Sequence, residues 1–402
     1  VSDPSGDIPS NRRVARVITR LNIGGPAIQA IALSHELEAF GFPTLLIHGR
    51  LAAGEGDMTA LLPTDQLNSR YLPTLVRPLS PLRDLITLWR LYHLFRKWRP
   101  ALVHTHMAKA GSLGRLAALL YNVSGINPPA RLVHTYHGHV FDRYFGSLMS
   151  RVFVAVERWL GRRTSAVIAV SPQIRDEVVS TFRVAPPERT HVIRLGFDLR
   201  RFFAIDAVAR SRAREALAVP ADAVVVITVG RLTAIKQQSL FVQMAARLAA
   251  DHQHVRFLIV GDGELRPALE QQAAAVKIAD RLRFLGWRRD LELIYGAADI
   301  FVLTSRNEGT PVALIEAMAS GVASVSTDVG GVRDVIADPS AGILLASGDE
   351  DALVSAVHRL IQSPALRRTI GDAGRDGVKE RFDLGRLTAD ISDLYTRLLQ
   401  QR

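Results

Sequence analysis

The 402-residue chain contains no cysteine. Disulfides, zinc–thiolate sites and thiol nucleophiles are excluded together, and an intracellular compartment fits. No segment offers about 18 uninterrupted apolar residues, so a membrane-spanning helix is not expected. Low-complexity tracts and short-period repeats are also missing, while the apolar share of 48% is ordinary for a soluble globular protein. Residues 1–11, VSDPSGDIPSN, hold turn formers without an apolar period and read as a loose tail lacking the apolar stretch of a signal peptide. The length exceeds one ordinary domain and suits two of about 150 to 200 residues, each able to bury a core.

The net charge of +11 is unevenly placed. Residues 1–200 hold 25 Lys plus Arg against 14 Asp plus Glu, whereas residues 201–402 hold 25 against 25. The whole excess therefore lies in the first half, which is expected to meet something anionic, such as phosphate head groups or a lipid-linked diphosphate. No nucleic-acid-binding module is recognisable, and nucleic acid is not an expected partner.

Apolar runs alternate with helical patterns throughout. In the first half the runs are VARVIT (14–19), TLLIHG (44–49), ALVHTH (101–106), ARLVHTY (130–136) and SAVIAVS (165–171), with helices near 26–40, 82–98 and 109–121. The pattern restarts with AVVVITVG (223–230), VRFLIVG (255–261), RLRFLG (281–286), DIFVLTS (299–305) and ASVSTD (323–328). This rhythm predicts an α/β architecture of two doubly wound parallel sheets, with the boundary near Asp198 to Asp206. The domains are expected at 1–200 and 201–382. The amphipathic stretch from Gly385 closes the chain, and residues 383–402 are expected to cross back to the first domain.

In such sheets ligands bind beyond the carboxyl ends of the strands, where helix N-termini offer free N–H groups. After run 223–230 comes Gly230-Arg231-Leu232-Thr233-Ala234-Ile235-Lys236, two fixed cations on a strand-to-helix turn. Arginine gives phosphate oxygens a planar fork and lysine gives a point charge, although two solvated surface cations would look the same. After run 299–305 comes Ser305-Arg306-Asn307-Glu308-Gly309-Thr310-Pro311-Val312-Ala313-Leu314-Ile315-Glu316. Gly309 permits close backbone approach, and Pro311 suits the first turn of a helix running through Glu316. Glu316 stands among Leu314, Ile315 and Met318, a costly place for an unpaired carboxylate.

These two segments resemble the E-x7-E motif and the upstream G-R-x4-K turn of family 4 retaining glycosyltransferases. The resemblance covers essentially the whole chain and implies a GT-B fold, two Rossmann-like doubly wound domains facing a central cleft. It further implies that Glu308 contacts hydroxyls of a donor sugar, Glu316 contacts the ribose of its nucleotide, and the N–H groups from Gly309 to Val312 support sugar and phosphate. Arg231 and Lys236 would neutralise the departing diphosphate, the work a metal does in other transferases, so neither metal nor other cofactor is expected. Two departures stand out: Gln237 follows the lysine where the family often has glycine, and Arg194-Leu195-Gly196-Phe197-Asp198 replaces a more usual Pro-Asn-Gly-Val-Asp.

In the first half Asn22-Ile23-Gly24-Gly25-Pro26-Ala27 follows the first strand and opens a helix. A plain turn would serve, but the matching family loop closes near donor phosphates, which assigns that role to Gly25. His104, His106, His134, His137 and His139 cluster at two strand ends. With only Asp142 beside them they read as a polar lining rather than a metal site. Thr135-Tyr136-His137-Gly138-His139 is similar to the family's T-x-H-G motif, which implies that His137 is the active-site histidine facing the sugar. His106, Lys109, His139 and Arg143 are the acceptor-binding candidates. Lys109, Ser112 and Arg143 could bind an acceptor phosphate, and ordinary surface exposure is the alternative for all three.

Residues 82–99, LRDLITLWRLYHLFRKWR, interleave cations with aromatic and aliphatic residues. They fit either a helix at a membrane interface or one packing its stripe on the sheet, and the charge asymmetry favours the membrane. Asp349-Glu350-Asp351 precedes a helical pattern and reads as helix-start acids. The implied activity is transfer of a sugar from a nucleotide sugar, a UDP-sugar, to a saccharide or lipid-linked saccharide, as in bacterial surface-polysaccharide assembly. The expected location is the cytoplasm, at the inner face of the membrane. The alternatives are a nucleotide-sugar epimerase of the same fold and a catalytically silent saccharide- or partner-binding scaffold.

Overall fold

A run that is apolar on both faces makes a stable strand only when both faces are covered. In the computed structural model, which describes residues 10–22, 24–52, 55–59, 67–125, 128–138 and 147–401, every such run is a parallel strand between helices. The chain divides into two compact units, Val1–Phe197 with Leu384–Arg402, and Asp198–Asp383.

The first unit holds seven strands: β1 (Val14–Ile18), β2 (Thr44–Gly49), β3 (Ser69–Leu72), β4 (Leu102–His106), β5 (Arg131–Tyr136), β6 (Ala166–Ala169) and β7 (Thr190–Val192). They form one parallel sheet in the order β3-β2-β1-β4-β5-β6-β7. The second unit holds β8 (Val224–Val229), β9 (Val255–Val260), β10 (Leu282–Gly286), β11 (Ile300–Leu303), β12 (Ala323–Thr327) and β13 (Ile343–Leu345), ordered β10-β9-β8-β11-β12-β13. In each sheet the order reverses beside the first strand, between β1 and β4 and between β8 and β11. In doubly wound sheets this reversal is the place where ligands bind, beyond the carboxyl ends of the strands.

Opposite faces of the first sheet carry different helices. Leu91 and Phe95 of helix Pro81–Trp98, with Ala110, Ala117 and Tyr121 of helix Ala108–Val123, pack on Ala15, Val17, Leu45 and Val103. Leu33 and Leu37 of helix Gly25–Ala39 pack on Val14, Leu102, Val133 and Ile168 together with the closing helix Leu384–Gln400. That last helix buries Leu387, Ile391, Leu394, Tyr395 and Leu398, one stripe at helical spacing. Each aliphatic member contributes about 1.5–3 kcal/mol on burial, enough to fix the helix on the sheet. Helix Ser147–Gly161 is tied to its neighbour by a buried ion pair in which Arg115 Nη2 donates to both Glu157 oxygens, at 2.8 and 2.7 Å. The Tyr136 hydroxyl donates to the same carboxylate at 2.5 Å.

Three strands escape the sequence pattern: β3, β7 and β13. All are sheet edges of three or four residues. An edge strand has one ladder and need not be apolar on both faces, and Arg70 and Tyr71 of β3 are exposed. Residues 10–12, assigned to the loose tail through Asn11, form a 3₁₀ turn. Among the described residues no helix is long and apolar enough to cross a membrane.

Candidate functional site

Strands β8 and β11 are neighbours, so the segments leaving their carboxyl ends come together although 72 residues separate Lys236 from Glu308. After β8 the backbone runs through Gly230, whose carbonyl would lie 2.0 Å from a Cβ on Gly261, so the β9 end tolerates only glycine. A 3₁₀ turn, Ala234–Lys236, then leads to Gln237, which adopts φ +47 before helix Gln238–Asp251 begins. A left-handed residue costs least as glycine. This gives the physical reason for the family's glycine where this chain carries Gln237. With its amide turned so that the oxygen faces the guanidinium, Gln237 accepts from Arg306 Nε at 2.9 Å, and Arg306 N donates to the Ile235 carbonyl at 2.8 Å. Thr304 Oγ1 is 2.9 Å from the Lys236 carbonyl, and these contacts stitch the two loops together.

Within that frame Lys236 Nζ and Ser305 Oγ each donate to Glu308 Oε1 at 2.5 Å. Glu308 is 8% exposed and Lys236 is half-buried, while Arg231 is exposed. The family resemblance implies separate roles, Lys236 toward phosphate and Glu308 toward sugar. The structure joins them in one ion pair, with Ser305 as a third member that the motif does not advertise. The main chain of Glu308 and Gly309 is seated against Gly330 and Gly331, which follow β12. Gly331 N donates to the Glu308 carbonyl at 3.1 Å, and a Cβ on Gly331 would lie 1.9 Å from the Gly309 carbonyl. The pair Gly330-Gly331 is a part of the site that the sequence reading missed, since a glycine pair by itself marks only a turn.

Helix Val312–Ala319 starts immediately after this loop with Pro311 as its N-cap. Proline carries no N–H, which narrows the expected donors between Gly309 and Val312 to Gly309, Thr310 and Val312. Glu316, one turn on, keeps part of its surface open, yet burial pushes its carboxyl up to about 7. The nearby Arg201 cation and the Tyr295 hydroxyl, 3.2 Å from Oε2, only partly offset that burial. Asp349 caps helix Glu350–Gln362 by accepting from Ala352 N at 2.9 Å, so the acidic run there is structural.

In the first unit Gly25 follows β1, and the histidines lie on or follow β4 and β5, on the other side of the sheet reversal. Gly24 is the N-cap of helix Gly25–Ala39, whose first residue is buried. His104 and His106 are completely buried on β4, and His137 follows β5 half-buried. His106 Nδ1 lies 2.9 Å from His137 Nε2. Burial, reinforced by the Arg16 cation, pushes His137 down to about 3, and burial likewise holds His104, His106 and His134 well below the usual histidine range. All four are neutral at ordinary pH. Among the described residues no cluster of three His, Cys, Asp or Glu side chains is arranged to hold a metal.

Two acceptor candidates need correction. His106 points into the protein and reaches Arg16 and His137, not solvent. Lys109 is spent on Asp84, 2.6 Å away, and on the Pro78 carbonyl, which fastens its helix to the start of helix Pro81–Trp98. His139 and Arg143 lie outside the described residues. Elsewhere in this unit a cavity of about 390 Å³ is lined by Leu21, His48, Gly49, Arg50, Asp57 and Tyr71.

The models for "Glycosyltransferase Family 4" and "Glycosyl transferases group 1" match residues 23–201 and 209–377 respectively. An Escherichia coli UDP-Gal:alpha-D-GlcNAc-diphosphoundecaprenol alpha-1,3-galactosyltransferase is 30% identical over 336 residues, 82% of this chain and 84% of that protein. The chain is a family 4 glycosyltransferase. This chain is also 30% identical over 309 residues to alpha-maltose-1-phosphate synthase of Mycolicibacterium smegmatis, covering 74% of this chain and 79% of that one. The fold of this chain is GT-B. The Anabaena protein Alr3699/HepE in complex with UDP superposes with a TM-score of 0.81 at 21% identity, over 96% of this chain and all of that one. In a glycosyltransferase of this fold the two sheet reversals are where sequence motifs and geometry meet.

Proposed function

We propose that this glycosyltransferase moves a sugar from a UDP-sugar, with retention at the anomeric carbon, to a hydroxyl of a saccharide or lipid-linked saccharide, in the assembly of bacterial surface polysaccharide or glycan. The observation that carries the reading is the Lys236–Glu308–Ser305 cluster at the reversal of the second sheet, a cation and a buried carboxylate beside the amides of Gly309, Thr310 and Val312. Arg231, Lys236 and Gly230 serve the diphosphate, Glu308 the sugar hydroxyls, and Glu316 the ribose. No metal is needed, because fixed cations stabilise the charge that develops on the leaving diphosphate. In the first unit, Gly25 is proposed for a phosphate and His137 for a sugar, as the family resemblance implies. The UDP complex of the Anabaena neighbour supports a uridine donor, and the lipid-diphosphate acceptor in the Escherichia coli relative's name supports a lipid-linked acceptor.

Screening UDP- and GDP-sugars by thermal shift, then following transfer from the best binder, tests this directly. Binding of a UDP-sugar with acceptor-dependent release of UDP is expected. Product formed from the donor alone would indicate epimerisation instead.

Peripheral contact with an anionic membrane belongs to the same reading. Helix Pro81–Trp98 turns one apolar stripe inward and a second outward. The outward stripe is Leu82 (73% exposed), Leu85 (64%), Ile86 and Trp89 (61%), with exposed Arg77 and Arg83 beside it. Apolar residues with flanking cations suit the headgroup boundary of an anionic leaflet. The protein should sediment with phosphatidylglycerol-containing vesicles and not with phosphatidylcholine alone, and Leu85→Asp with Trp89→Glu should abolish it. Undiminished sedimentation of that variant would refute the assigned surface.

A further inference from the structure

Arg16 is the one charged residue of β1 and is completely buried, with no carboxylate partner among the described residues. Its Nη1 lies 3.2 Å from His104 Nδ1 and 3.2 Å from His106 Nε2, and its Nη2 donates to the Tyr395 hydroxyl at 3.3 Å. A guanidinium has donors and no acceptor. Each ring nitrogen that it faces must therefore present a lone pair.

That requirement propagates. His104 accepts at Nδ1, so its proton is on Nε2, which donates to Thr135 Oγ1 at 2.7 Å. The Tyr395 hydroxyl, 2.6 Å from the same Nδ1, accepts from Arg16 and donates to His104, holding the guanidinium between the rings. His106 accepts at Nε2, so its proton is on Nδ1, which donates to His137 Nε2 at 2.9 Å. His137 in turn accepts at Nε2 and carries its proton on Nδ1. That atom is buried and has no hydrogen-bond partner among the described residues. A second proton on any of these rings would set two donors against each other.

We propose that Arg16 and Tyr395 are positioning residues that lock His137 as a neutral donor, its Nδ1–H kept for a ligand oxygen and its remaining nitrogen unable to take a proton. His137 then binds a lone pair of the substrate and is neither general base nor general acid. The substrate clause rests on the proposed glycosyl transfer; the tautomer does not. Tyr395 sits on the closing helix, so the last elements of the chain govern a histidine that sequence places more than 250 residues earlier.

Nitrogen-15 NMR of imidazole-labelled protein tests the proposal, since protonated and bare ring nitrogens resonate far apart. His137 should show Nδ1 protonated and Nε2 bare, unchanged from pH 5 to pH 9. An Nε2–H tautomer, or titration within that range, overturns the proposal. Arg16→Met should mix the tautomers and lower kcat about ten- to a hundredfold, the scale on which partners that orient a functional histidine act, with the donor KM changed less than threefold. Tyr395→Phe should move both readouts the same way by less, and it serves if Arg16→Met does not fold. A folded Arg16→Met with wild-type tautomer and kcat refutes the role. UDP and UDP-galactose are the ligand probes. A shift of the His137 Nδ1–H signal with UDP-galactose alone places its partner on the sugar, a shift with both places it on the diphosphate, and a shift with neither overturns the donor role. Absence of turnover with every sugar nucleotide would sink the glycosyl-transfer reading while leaving the tautomer to stand or fall by its own spectrum.

Discussion

Glu308→Gln should separate donor binding from transfer. At 2.5 Å and an effective dielectric of about 20, the attraction between Lys236 and Glu308 is about 7 kcal/mol before desolvation. Glu308 is nearly buried, and the cost of dehydrating it consumes most of that, which leaves a net coupling of about 1–3 kcal/mol. The glutamine variant removes one negative charge beside the proposed diphosphate site and frees the Lys236 ammonium. UDP, which carries no sugar, should then bind about fivefold more tightly, a gain of about 1 kcal/mol. Transfer should nevertheless fall by at least two orders of magnitude, because the charged acceptor for the sugar hydroxyls is lost. Lys236→Met should act oppositely on UDP and weaken it by tenfold or more. Calorimetry with UDP and initial rates with the UDP-sugar measure the two effects, and urea unfolding of both single variants and the double variant gives the coupling. A glutamine variant that folds and binds UDP tenfold more weakly would refute the arrangement, as would additive stabilities within about 0.5 kcal/mol.

Glu316 supplies a pH test. Its carboxyl is held at about 7 in the fold against about 4.5 when exposed, so the folded state carries the extra proton between those values. Stability from this group is complete below about pH 4.5 and is lost as pH rises to 7, about 3 kcal/mol in all. Glu316→Gln should remove that slope and raise the melting temperature at pH 8, and an unchanged slope would contradict the assignment. Gly331→Ala should destabilise the protein by about 1–3 kcal/mol, the range for forced overpacking, because its Cβ would meet the Gly309 carbonyl at 1.9 Å. Displacing the Glu308 main chain should also depress turnover, and wild-type values in urea unfolding and in the transfer assay would show that the seat is dispensable.

How far the sequence reached can be followed element by element. Central strands such as β1, β4, β8 and β11 are buried on both faces and declare themselves as unbroken apolar runs, whereas edge strand β3, SRYL, has two exposed residues and no such signature. The segments around Lys236 and Glu308 were legible because glycine and charge follow a strand end in each. Their pairing was not, since it depends on β8 and β11 being neighbours. Arg16 gave a hint, a lone charge inside VARVI, but nothing in the closing helix separates Tyr395 from the apolar stripe that it shares with Leu394 and Leu398.

By itself, then, the sequence determined the parallel α/β architecture, the restart of the pattern near residue 200 and the chemistry waiting at the strand ends. These are local properties, set by periodicity and by residue type within a few positions. Only the tertiary structure decided which groups meet: Lys236 with Glu308, Glu316 with Tyr295, and Arg16 with two histidines and a tyrosine from the far end of the chain. It also withdrew Lys109 and His106 from the surface, by giving each a partner inside the protein. Strand order brings distant positions to one sheet edge, and burial then removes the water that would otherwise satisfy each group separately. Partners become obligatory there, and their identity is a property of the fold.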